Sequence, residues 1–129
     1  MASWNDVQAH MRSTYRLQLD EADAMSMAWA YEDGRTQKIV VRRFKSGTHD
    51  MVEFKSPFAK IGGPDPLELL RENARLPFGA VALSGETFLV VHNADLGGID
   101  LPAFDALLAK VAGLADRLEA KHASMTDAF

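Results

Sequence analysis

The sequence predicts a single α+β domain: a mainly antiparallel five-stranded sheet with three helices, in the order α-β-β-β-α-β-β-α. Three observations predict it. Apolar residues recur every three to four positions in three stretches and every second position in five others. The alternating stretches are joined by short turns rather than by helices, which makes their pairing antiparallel. A chain of 129 residues, 47% hydrophobic and 25% charged, suits one core, since two cores would be starved of interior. The domain is expected over residues 1–122, with 123–129 as a flexible C-terminal tail.

The first helix is predicted at Ser3 to Thr14, where Ser3 and Asp6 resemble a capping box and Trp4, Val7, Met11 and Tyr15 form the apolar stripe. Tyr15 to Asp23 is polar and reads as irregular or a short strand. From Met25 the period changes to two, with Met25, Met27, Trp29 and Tyr31 on one side, until Glu32-Asp33-Gly34 turns the chain. A three-residue loop with Gly34 in the left-handed region puts Met25, Met27 and Trp29 on the face of Ile39 and Val41, whereas a two-residue turn sets them beside Lys38, Val40 and Arg42. The three-residue loop is therefore expected. It places Met27 near Ile39 and keeps Trp29 on the core side. A second hairpin around Ser46-Gly47 adds Val52 and Phe54 to that face, with Val41 near Val52.

Gly62-Gly63-Pro64 breaks the alternation, and Asp65-Pro66 with Glu68 opens a second helix, Pro66 to Arg75, with Leu67, Leu70 and Ala74 inward. Leu76-Pro77 stops it. Strands at Gly79–Ser84 and Thr87–Asn93 follow, joined by Gly85-Glu86, where a leading glycine suits a tight turn. Asp100 caps the last helix, whose stripe is Phe104, Leu107, Leu108, Val111, Leu114, Ala115 and Leu118, up to about His122.

Several function classes are disfavoured. Fourteen basic against eighteen acidic residues, net −4, do not suit a general nucleic-acid binder. Without cysteine there is no thiolate nucleophile and no Cys-based metal site. No apolar run reaches the roughly 18 residues of a membrane span, and the N-terminus has no basic-then-apolar layout, so a cytoplasmic location away from membranes is expected. The four histidines are scattered with no helical metal spacing, and Ser84-Gly85-Glu86 lacks the flanking glycines of a nucleophile elbow. Neither catalytic residues nor a cofactor or metal site is expected. His92, with Asn93 and Asp95, is the best polar cluster, and a ligand-binding or catalytic cleft near His92 and Asp95 is the alternative function.

Charge is uneven along the chain. Arg35 to Lys60 carries net +5 and the remainder −9. On the strand face away from the core, Lys38, Arg42 and Lys55 should stand with Val40, Phe44 and Met51. Those six residues are the candidate docking surface for an acidic, partly apolar segment of another protein, with charge steering the encounter. In the second hairpin Val81, Leu83, Phe88 and Val90 share one face, yet Ala80, Ala82, Leu89 and Val91 make the other face apolar too. Strands apolar on both sides need cover on both sides, so those four residues are the candidate interface of a homodimer.

Pro66-Leu67-Glu68-Leu69-Leu70-Arg71-Glu72-Asn73-Ala74, then Phe78 to Leu83, Phe88 to Val91 and the Phe104-to-Leu118 helix resemble the second half of YbjN-like proteins and type III secretion chaperones. The resemblance covers nearly the whole chain in layout. It implies a non-enzymatic bacterial protein that dimerises and binds another protein, either as a clamp on an extended client or in regulation or stress. It carries over no catalytic residue, and it implies that the second helix and the Gly79–Asn93 hairpin lie near the dimer interface.

Overall fold

The computed structural model describes residues 2–122; the predicted tail, 123–129, lies outside them. The fold is α+β, an antiparallel sheet with three helices, but the sheet has six strands. The elements are α1 (Trp4–Thr14), β1 (Leu17–Asp20), β2 (Ala24–Ala30), β3 (Thr36–Ser46), β4 (His49–Lys60), α2 (Pro66–Asn73), β5 (Ala80–Ser84), β6 (Thr87–Asp95) and α3 (Leu101–His122), with a short 3₁₀ turn at Leu96–Gly98. The strand order is β1-β2-β3-β4-β6-β5. The additional strand, β1, corrects the expected count and order. It has only four residues, three of them exposed, and a bulge between Leu17 and Leu19 interrupts its register, so the brief alternation of Leu17 and Leu19 with Gln18 and Asp20 is too short to establish a strand by pattern alone.

α1 starts with a complete capping box: the Asp6 N–H donates to Ser3 Oγ at 3.1 Å and the Ser3 N–H to Asp6 Oδ2 at 3.0 Å. Its buried face is Trp4, Val7 and Met11. The β2–β3 register is the expected one, with Met27 opposite Ile39 and Trp29 opposite Gln37. Gly34 has φ +88°, and the Tyr31 N–H donates to the Arg35 carbonyl, closing the three-residue loop. Trp29 packs, partly buried, against the core. At β3–β4 a two-residue turn sets Ser46 opposite His49, so Val41 faces Phe54 and Arg43 faces Val52. The pairing expected between Val41 and Val52 is thus off by one pair on the correct face.

One core cluster unites Met25, Met27, Ile39, Val41, Val52, Phe54, Phe88 and Val90 of the sheet with the buried faces of α1 and α3 and with Leu69 of α2. The helices therefore share one face of the sheet. α3 crosses β3, β4 and β6, and its Asp100 cap accepts from the Ala103 N–H at 2.8 Å.

α2 is rotated from the expected orientation. Leu67 and Leu70 are 58% and 63% exposed and Ala74 is exposed too, while Leu69 and Glu72 are buried. Two polar anchors turn the helix. Asn73 donates from Nδ2 to the Val81 carbonyl at 3.1 Å and accepts from the Val81 N–H at 2.6 Å, and the Glu72 carboxylate bonds Lys121 and His122 at the end of α3. The helix also ends at Asn73 rather than Arg75, and β6 runs on to Asp95 because β4 pairs with it as far as Met51.

Candidate interaction surface

The cross-strand register builds the outer face of the sheet. One row runs Ser26, Val40, Lys55, Val91, Ala80; the next runs Ala24, Arg42, Glu53, Asn93; a third pairs Phe44, Met51 and Asp95. Lys38 stands opposite Ala28, and Leu89 lies between Pro57 and Ala82. All six candidate docking residues, Lys38, Val40, Arg42, Phe44, Met51 and Lys55, thus lie on one face. So do Ala80, Ala82, Leu89 and Val91, and the two sets are continuous across the β4–β6 pair. None of the ten belongs to the helix-covered core cluster. Val40, Phe44, Met51 and Val91 are half-buried among their neighbours, and Leu89 is only 9% exposed between Pro57 and Ala82.

Electrostatically the face is quieter than the +5 of the segment suggests. Glu53 takes both neighbouring cations, with Arg42 Nε at 3.1 Å and Lys55 Nζ at 3.4 Å. Burial pushes its carboxyl up, but the Arg42 hydrogen bond and the two positive charges outweigh that and hold it below the usual carboxylate range. The Arg42 guanidinium also lies 5.1 Å from the centre of the Phe44 ring. Asp50 engages Arg43 at 3.1 Å, and Arg35 is held by Asp33 and Asp116. Of the three cations in the candidate docking set, Lys38 alone has no carboxylate partner among the described residues.

His92 and Asp95 do not form a cleft. Residues three apart on a strand point to opposite faces: His92 pairs with Phe54 on the helix side and stacks on Phe78 at 4.3 Å, whereas Asp95 pairs with Met51 and bonds His49 Nδ1 at 2.8 Å. Burial, with the nearby Lys110 charge, lowers the His92 pKa from its ordinary value.

A cluster that sequence spacing could not reveal joins α1 to α3. Asp105 accepts from the Tyr15 hydroxyl at 2.6 Å and bonds His10 Nε2 at 2.8 Å, with Thr14 Oγ1 at 3.4 Å from His10 Nδ1. His10 and Tyr15 lie ninety or more residues from Asp105 in sequence, and the cluster ties the first helix to the last. Among the described residues no group of three or more His, Asp or Glu side chains could hold a metal ion, and no helix is long and apolar enough to cross a membrane.

No family model matches the chain, and no curated protein matches it significantly.

Proposed function

We propose that this chain is a small cytoplasmic protein-binding module, non-enzymatic, chaperone-like or regulatory, that works as a homodimer. One observation carries the reading: the helices lie on one side of the sheet, leaving the opposite face with a mixed apolar and polar surface running from Val40 and Phe44 to Val91 and Ala80. The resemblance to YbjN-like proteins and secretion chaperones, which dimerise and bind other proteins, points the same way. The β5–β6 end of the face, rich in Ala80, Ala82 and Val91, suits the second copy. The β3–β4 end, with Phe44, Met51 and the exposed Lys38, suits a client segment.

Sedimentation tests the reading. The unaltered protein should sediment as a dimer at high micromolar concentration, and Val91→Glu, which brings a carboxylate to the shared face, should sediment as a folded monomer. A 14.2 kDa monomer for the unaltered protein at that concentration overturns the dimer.

A further inference from the structure

On the other side of the molecule an open groove of about 600 Å³ lies between the α2–β5 connection and α3, lined by Leu76, Phe78, Lys110, Gly113, Leu114 and Arg117. A second hollow of about 280 Å³ shares Leu76, Leu114 and Arg117 and extends past Arg75 to Lys121. The floor is apolar and the walls are cationic.

Three features set this groove apart. First, its cations lack carboxylate partners; Lys110 Nζ lies 5.5 Å from the centre of the Phe78 ring on the groove wall, a contact that leaves its charge unneutralised. Of the fourteen Lys and Arg residues, Arg16, Lys38, Lys60, Arg75, Lys110 and Arg117 have no carboxylate partner among the described residues; Lys110 and Arg117 line the groove and Arg75 the adjoining hollow. Secondly, helical phase keeps acids away from it. Asp105 is taken up by His10 and Tyr15, Asp116 by Arg35, and Glu119 is buried, so the outward face of α3 carries Ala106, Lys110, Gly113, Arg117 and Lys121. Among the described residues the one carboxylate lining the hollows, Glu72, is buried against Lys121 and His122. Thirdly, Gly113 sits inside the unbroken α3 helix, where alanine would be more stable, and a Cβ there would meet nothing within 4 Å. The missing side chain leaves space in the middle of the groove.

We infer that this groove binds an acidic amphipathic helix of another protein. Lys110 and Arg117 are seven residues apart, about 10 Å along the helix axis, so the positive charge is spread over two turns. A helix with carboxylates seven residues apart and leucines between them would match both cations and lay its apolar side over Leu76, Phe78 and Leu114, with its backbone approaching at Gly113. A fatty acid, charged at one end, would satisfy only one of the cations.

The inference is independent of the outer sheet face and can be tested apart from it. The probe is a labelled synthetic 14-residue helical peptide with glutamates seven apart and leucines between, titrated by fluorescence anisotropy beside the same peptide carrying glutamine for glutamate. The glutamate peptide should bind, and lose at least about tenfold in affinity when both glutamates become glutamine or when the protein carries Lys110→Glu with Arg117→Glu. Gly113→Leu, which fills the groove without touching a charge, should abolish binding while far-UV circular dichroism stays unchanged, and Val91→Glu should leave it intact. Equal binding of the two peptides, undiminished binding by Gly113→Leu, or loss of binding in Val91→Glu alone overturns the proposal. So does Arg117-dependent binding of dodecanoate or of a single-stranded oligonucleotide where the glutamate peptide fails to bind.

Discussion

Asn73 uses one side-chain amide to satisfy both backbone groups of Val81, a residue on the outermost strand. Replacing it with alanine removes both bonds at a part-buried site that water can partly refill. Asn73→Ala should therefore cost about 1–2 kcal/mol, measurable as a lower urea midpoint with an unchanged m-value. His92 makes a second residue-level prediction. Its pKa is lowered in the fold, by burial first and by Lys110 second. As the pH falls through about 6.5, the unfolded chain takes up a proton on this imidazole before the folded one does. The stability contribution is thus present above that pH and lost as the pH drops through the folded value. His92→Gln should flatten the decline of Tm between pH 7 and 5; an unchanged slope would assign the decline to other groups. Glu72 acts in a lower window. Its carboxyl is held below the usual range chiefly by the Lys121 hydrogen bond, so its contribution is lost only under more acid conditions.

At the scale of elements, what was legible depended on how local the cause was. The cap of α1, the Gly34 loop, the turn at Gly85-Glu86 and the stripe of α3 are set by neighbours in sequence, and each appears where the pattern places it. α2 departs from its sequence pattern because its rotation is decided by Val81 on β5 and by Lys121 and His122 about fifty residues away, which turn a polar side inward and leave leucines outside. β1 is not definite in the sequence because Leu17-Gln18-Leu19-Asp20 alternates for only four residues inside a polar stretch, too short a run to separate a strand from a loop. The quieting of the candidate surface is recoverable from sequence: once the β3–β4 register is chosen, Arg42 falls opposite Glu53 and Lys45 opposite Asp50. The α3 groove was not recoverable, since which cations remain unpaired depends on the whole set of long-range ion pairs. α3 itself yields a prediction. Gly113→Ala puts a Cβ into open space inside a helix and should raise stability by about 0.5–1 kcal/mol, read as a higher Tm.

For the whole molecule, the segregation of helices to one face links assembly to stability. If two copies pair through the outer face, association adds to folding by mass action, so the Tm of the unaltered protein should rise with its concentration over 1–200 µM. The Tm of Val91→Glu should not. A concentration-independent Tm in both would show that no second copy covers the face. Asn73 bears on the same question from the side. A sheet can grow without limit only by recruiting further strands at its rims, and at the β5 rim the Val81 position is already occupied by the protein's own amide. Opposite it the β1 rim is four residues long. The runaway ladder of a fibre is thereby hindered at its first rung, and if copies of this chain do pair, the route left to them is face against face, a geometry that closes after two.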